Sequence, residues 1–184
     1  MKKEDYEKKL SEKDIIIENY KRELRLMKQQ LEYYKTAAYT DSLTKLNNRR
    51  SIENLDDFDS VILGDIDHFK IINDKYGHAL GDQVLIEISK VLKDNIRQTD
   101  LVCRWGGEEF VVFLKNCTEE AAYSKAITLK EKISELSEKF GFEITMSFGV
   151  SKLSEGTMEN AIKEADSAMY LSKQNGRNRV TIYS

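Results

Sequence analysis

None of the 184 residues is proline, and only Cys103 and Cys117 are cysteine. The two cysteines lack a paired C-x-x-C spacing, which argues against a zinc site, and a disulfide is unusual in a reducing compartment. Both read as small buried apolar side chains. No run approaches the roughly 20 apolar residues that span a bilayer. The charged opening MKKEDYEKK also lacks the apolar stretch of a signal peptide, so the chain reads as cytoplasmic and without a membrane segment. An excess of one charge is missing as well. The 29 Lys and Arg against 32 Asp and Glu leave a formal net charge of -3, which gives no field that would attract nucleic acid or anionic lipid. Any phosphate site must therefore be local.

Residues 1–38 contain no glycine either, and they are dense in Lys, Glu and Arg, so a long helix is expected. Leu10, Ile17, Tyr20, Leu24, Met27, Leu31, Tyr34 and Ala38 follow a heptad seam, which Lys13 breaks once. A solvated single helix would expose that seam. A parallel dimeric coiled coil would bury it, so residues 1–38 are expected to be a dimerising, signalling helix. A chain of this length holds one compact core besides that appendage, here residues 39–184.

From Thr40 the pattern changes to alternating strands and helices. Residues 60–66 (SVILGDI) form an apolar run suited to a buried strand that ends in carboxylates. Residues 80–97 place Val84, Leu85, Ile88, Val91, Leu92 and Ile96 on one helical face. Two short strands, 101–105 and 110–114, flank Gly106, Gly107, Glu108 and Glu109 as a hairpin. Thr118 can cap a helix that buries Ala122, Ala126, Leu129, Ile133, Leu136 and Phe140. A strand at 143–150, a helix at 157–174 stopped by Gly176, and a last strand with Val180 and Ile182 complete the order.

Strand, helix, strand, strand, helix, strand is the split βαβ arrangement of ferredoxin-like and polymerase-palm folds, an α+β class with a sheet flanked by helices. Its first and third strands are antiparallel neighbours. The hairpin tip at Glu108 and Glu109 should therefore lie beside Asp65, at the end of the first strand. Clustered carboxylates repel one another, and a hard divalent ion removes the conflict. Mg²⁺ suits such a site, because it combines one or two carboxylates with phosphates and water. Gly106 and Gly107, lacking Cβ atoms, let a ligand approach the backbone.

The tip reads Gly106-Gly107-Glu108-Glu109-Phe110, and other motifs stand around it. These are DSLTKLNNRR from Asp41, DIDHFKIINDKYGHALGD over 65–82, RWGGEEF, MSFGVS, ADSAMYLSKQNGRNR, and GRNRV ending at Val180. In this order they resemble the GGDEF family of diguanylate cyclases, for which G-G-E-E-F is a common form of the signature. Several separated motifs agreeing in order are far more specific than any one of them. Two departures stand out. Lys45 occupies a position where the family usually has Gly, and the connection over 48–60 is shorter than usual.

The resemblance implies an enzyme that condenses two GTP molecules into cyclic di-GMP, with Mg²⁺ as cofactor or Mn²⁺ in its place. It implies that Asp65, the Ile66 carbonyl and Glu108 bind the metal, that Glu109 completes the acidic cluster, and that Glu108 accepts a proton. Lys70 corresponds to the phosphate-contacting lysine, and Lys173 with Arg177 to a basic pair that clamps the triphosphate. Phe69, His78, Gly106 and Gly107 correspond to further substrate contacts. Asn73 and Asp82 correspond to guanine readers, and a carboxylate does suit the N1–H and N2–H₂ donors that guanine presents and adenine does not. Asp82 could instead be a helix N-cap after Gly81. Arg97 and Asp100 form the R-x-x-D of an inhibitory cyclic di-GMP site, or else an ordinary helix-end turn. Lys173 could simply complement a helix dipole.

One base pocket holds one GTP, so two protomers must face each other about a two-fold axis, as a homodimer through the N-terminal coiled coil. The competing class is a catalytically silent receptor for GTP or cyclic di-GMP. The intact Asp65, Glu108 and Glu109 argue against silence.

Overall fold

The structure, a computed structural model, describes residues 3–52, 58–153 and 157–184, and the chain divides into two units, Met1–Ala38 and Tyr39–Ser184. The first unit consists of helix α1 (Lys3–Tyr39). No helix breaker interrupts it, which is why it runs so long. From Glu12 to Tyr39 every side chain is exposed, including the seam residues Ile17, Tyr20, Leu24, Met27, Leu31 and Tyr34. Ile15, Ile16, Leu26 and Tyr33 are exposed too, so the uncovered apolar surface is wider than the seam alone. The side chain of Leu10, and residues 53–57 of the 48–60 connection, lie outside what is described. Among the described residues no helix is long and apolar enough to cross a membrane.

The second unit is built around β2 (Ser60–Ile66), whose seven residues are all buried. A continuous apolar run, rather than an alternating one, marks a strand covered on both faces. β2 lies between β4 (Glu109–Leu114) and β5 (Met146–Lys152), antiparallel to both. Outside β4 come β3 (Leu101–Arg104) and the two-residue β1 (Asn47–Asn48), and outside β5 comes β6 (Val180–Ile182). The six-stranded order is β1-β3-β4-β2-β5-β6. Its inner four strands have the expected split βαβ topology, with the first and third core strands paired antiparallel.

Two apolar layers cover the sheet. On one face Ile62, Ile66, Phe110 and Val112 pack with residues of α3 (His78–Asp94) and α4 (Glu119–Ser134). On the other Val61, Leu63, Val111 and Phe113 pack with Ala161, Ala165 and Met169 of α6 (Met158–Gln174). The period of two in each strand sends alternate side chains to opposite layers.

The helix expected over 80–97 starts and ends earlier, at His78 and Asp94, and a separate short helix, α2 (Phe69–Tyr76), precedes it. Thr118 does cap α4, its hydroxyl accepting from the Ala121 N–H at 3.3 Å. The apolar face expected to run on to Phe140 is broken after Ser134, and α5 (Leu136–Phe140) is a separate turn. Ser137 there exchanges hydrogen bonds with the Ile144 backbone, at 2.8 and 3.3 Å, while Leu136 and Phe140 still touch the core.

Candidate active site

The β2–β4 register places Asp65 opposite Glu109, and the Ile66 N–H donates to the Glu108 carbonyl at 3.3 Å. Asp65 follows Val61 and Leu63 onto the α6 side of the sheet, where it is 7% exposed. There Lys173 reaches it, Nζ to Oδ1 at 2.9 Å. Burial raises the Asp65 pKa, the Lys173 ammonium opposes that, and the Asp67 and Asp166 carboxylates add to it. Glu108 is raised by burial and then by Asp65 and Glu109. Glu109 is raised by burial and then by Asp65 and Asp166. All three carboxylates are thus held above their ordinary values, first by burial and then by one another's charge.

Glu109 folds back toward Gly106. A Cβ on that glycine would sit 2.6 Å from Glu109 Oε2 and would push this carboxylate off the turn. The expected convergence therefore brings Asp65 and the hairpin tip to one end of the sheet without closing a cage. Among the described residues, no three His, Cys, Asp or Glu side chains gather closely enough to hold a metal ion. Lys173 engages Asp65, and Glu109 leans on the turn. The donors are nevertheless carboxylates beside a backbone carbonyl, the hard oxygen chemistry that Mg²⁺ takes.

Lys70 is exposed in the first turn of α2. The ring of Phe69, also expected as a substrate contact, is 5% exposed and packs in the core beneath Gly81. Its ring is apolar and is fixed by the packing of α2, so the group it could offer a phosphate is its backbone N–H at that helix start. Asn73 lies across Gly81, where any Cβ would collide with its Oδ1. Gly81 is followed by Asp82, exposed on α3, so the two expected base readers flank one glycine. The N-cap alternative for Asp82 fails, because α3 begins at His78, after Gly77. His78 is exposed at that start, and Arg177 is exposed in the loop after α6.

Arg97 and Asp100 do form a local turn. The Asp100 carboxylate accepts from the Arg97 N–H at 3.0 Å and from the Lys115 N–H at 3.2 Å, and the Asp100 N–H donates to the Arg97 carbonyl. The Arg97 side chain is exposed.

Two contacts at the site carried no expectation. Arg104 grips the hairpin through the Gly107 carbonyl, at 3.2 and 2.7 Å, and pairs with both oxygens of Asp41 at 3.1 and 3.2 Å. The second is Asp166, whose charge reaches both Asp65 and Glu109. Asp41 and Arg104 stand 63 positions apart, and no periodicity links residues on different elements; helical spacing from Lys173 would have put Asp166 two turns away on the same face of α6.

A family model described as "Diguanylate cyclase, GGDEF domain" matches residues 38–179. Diguanylate cyclase A of Treponema denticola is 43% identical over 67% of this chain and 34% of its own length. Diguanylate cyclase DgcM of Escherichia coli is 37% identical over 86% of this chain and 41% of its own. The chain thus spans less than half the length of these curated relatives. Among solved structures, the coiled coil and GGDEF domain of DgcB from Caulobacter crescentus, crystallised with c-di-GMP, has a TM-score of 0.80 at 27% identity. That alignment covers 92% of this chain and 98% of the other. A match over most of the sequence, with the motifs in order and the fold shared, means that this chain belongs to the GGDEF family of diguanylate cyclases.

Proposed function

We propose that this chain condenses two GTP molecules into cyclic di-GMP, releasing two pyrophosphates. The observation that carries the reading is the sheet end where Asp65 and Glu109 face each other in register beside Glu108, all with raised pKa values and with Lys173 among them. A cation and a substrate would relieve both the burial and the mutual repulsion of these carboxylates. Asp65, the Ile66 carbonyl and Glu108 would hold Mg²⁺, or Mn²⁺ in its place, with Glu109 close by. When bound, the ion supplies Lewis-acid polarisation of phosphate oxygens and neutralises the acidic cluster.

The chain's own residues do the rest. Lys70, Lys173, Arg177 and the backbone at the start of α2 bind the triphosphate, while Asn73 and Asp82 read guanine and His78 makes a further substrate contact. Gly106 and Gly107 keep the tip bare enough for substrate to approach. Glu108, whose carboxylate holds a proton more readily than an ordinary glutamate, accepts the proton of the ribose 3′-hydroxyl as that oxygen attacks the α-phosphorus of the second GTP. The attack is in line with the departing pyrophosphate, and its repetition closes the ring.

Each protomer brings one GTP, so the reaction needs a homodimer. The exposed seam of α1 supports residues 1–38 as a coiled coil that raises the effective concentration of the two domains 39–184 to the order of millimolar. Arg97 and Asp100 bind the product as an inhibitor, the guanidinium stacking on guanine. The reaction occurs in the cytoplasm.

Incubation with GTP and Mg²⁺, with products identified by mass, tests the reading. Cyclic di-GMP and pyrophosphate are expected. Absence of both, after copurified product is removed and across a dilution series, would favour a silent receptor. Deletion of residues 1–38 should lower turnover at nanomolar protein and spare it at high concentration. Full activity of the truncated chain when dilute would remove the coiled coil from the mechanism.

A further inference from the structure

Asp67 is a buried carboxylate that no part of the mechanism above uses. It is 5% exposed and stands two residues past Asp65, whose pKa its charge helps to raise. Burying one carboxylate beside another is costly, and the fold meets that cost with neutral donors. Oδ1 accepts from the Ser147 hydroxyl at 2.7 Å. Oδ2 accepts from the Thr145 hydroxyl at 2.8 Å and from the Asn178 N–H at 3.0 Å. The Asp67 N–H in turn donates to the Thr145 carbonyl at 2.9 Å. Two of these donors belong to or adjoin β5. The third belongs to the loop after α6.

That loop is strained. Gly176, Arg177 and Asn178 follow one another with φ of 108°, 60° and 46°. Glycine takes such backbone freely, whereas arginine and asparagine do so at an energetic cost. Something must hold the two side-chain-bearing residues there. The Arg177 N–H closes on the Ser172 carbonyl at 3.0 Å, and the Asn178 N–H finds the Asp67 carboxylate. The other end of the loop is tied where the Phe148 N–H donates to the Arg179 carbonyl at 2.8 Å.

We infer that Asp67 is a positioning residue for the triphosphate clamp, holding Arg177 and Asn178 in left-handed backbone so that the Arg177 guanidinium is presented to substrate phosphate. The inference rests on the proposed GTP-binding role of Arg177. It goes further in tying the turn that follows Asp65 to the loop that carries Arg177. Nucleotide affinity then depends on a carboxylate that touches no nucleotide.

The test is a double-mutant cycle read by binding, with 3′-deoxy-GTP and Mg²⁺ as the probe. This analogue lacks the attacking hydroxyl, so affinity is measured apart from turnover. Asp67→Asn keeps the shape but replaces one acceptor oxygen with a donor that faces donors. It should weaken binding about tenfold, the size of a lost charge-assisted contact. Arg177→Ala should weaken binding by a similar factor. The double variant should be no weaker than the weaker single one, because Asp67 acts through Arg177. Additive losses, or unchanged affinity in folded Asp67→Asn, would overturn the inference while leaving the GTP site standing.

Failure of the wild-type chain to bind the probe would instead overturn the GTP reading on which it rests. Amide exchange supplies a readout without nucleotide: the Asn178 N–H should exchange faster in Asp67→Asn than in wild type, and equal rates count against the inference. Should Asp67→Asn not fold, Thr145→Val removes one partner of the same oxygen. It should weaken binding about two- to threefold, again with no further loss on the Arg177→Ala background, and an additive loss there overturns the inference equally.

Discussion

Two acidic sites flank the same hairpin and have opposite characters. Asp41 accepts from the Thr44 N–H at 2.8 Å and its hydroxyl at 2.7 Å, and from Arg104 with both oxygens. Burial pushes its pKa up, yet those donors outweigh burial and hold it below the ordinary value. Asp65 is more deeply buried, has one cation and faces other carboxylates, and its pKa is raised. The fold gave Asp41, in the loop before β1, the Thr44 and Arg104 donors, and gave the strand residue Asp65 Lys173 alone beside other carboxylates. A carboxylate with its donors supplied holds structure; one buried with few donors keeps its capacity for a ligand. Arg104 joins the two, because it grips Gly107 next to Glu108 while paired with Asp41.

The largest expected effect comes from Glu108→Gln. It should cut cyclic di-GMP formation by about 10²–10⁴, the usual worth of a positioned proton acceptor. Its thermal midpoint should hold or rise, since one repelling charge is gone. A midpoint several degrees lower would show Glu108 to be structural and break the contrast. The matched change on the other side, Asp41→Asn, should act in reverse. It leaves the Arg104 guanidinium partly buried beside a neutral amide, and a lost hydrogen bond to a charged group is worth about 1.5–3 kcal/mol. Urea unfolding measures that loss. Unchanged stability would mean the pair is as idle as an exposed surface ion pair, and the two carboxylates would no longer differ in kind.

Much of this arrangement was legible in the residues, for identifiable reasons. The all-apolar run at 60–66 gave away the central strand, and the split βαβ order then forced Asp65 beside the hairpin tip, which the Asp65–Glu109 register bears out. What stayed hidden depends on side-chain direction or on long-range pairing. Phe69 lay inside a motif, but whether its ring faces substrate or core is decided by how α2 packs over Gly81. Asp82 follows a glycine and could cap a helix, until Gly77 takes the turn and α3 starts four residues earlier. Asp41 and Arg104 each sit in a recognisable motif, yet nothing along the chain announces that they meet. The break between α4 and α5 leaves no mark in the sequence, because apolar period continues through Leu136 and Phe140 while the backbone does not.

The smallest expected effect is the most discriminating, because its sign differs between the two sites. Asp65, Glu108 and Glu109 have pKa values raised in the folded chain, so the folded state binds more protons than the unfolded one just above the ordinary values of 3.8 for Asp and 4.5 for Glu. Stability from these groups therefore falls as pH rises through that window. Asp41 is depressed, so its contribution is present above its ordinary 3.8 and is lost as pH falls through the folded value. The stabilisation gained in Glu108→Gln should accordingly grow from a buffer in the carboxylate range to one near neutrality. The cost of Asp41→Asn should shrink when pH is taken below that range. Urea titrations of wild type and both variants at each pH, without divalent cation, read the two slopes directly. Parallel slopes would mean that both carboxylates titrate in the same kind of surroundings, and the distinction between a donor-supplied acid and one buried with few donors would fail.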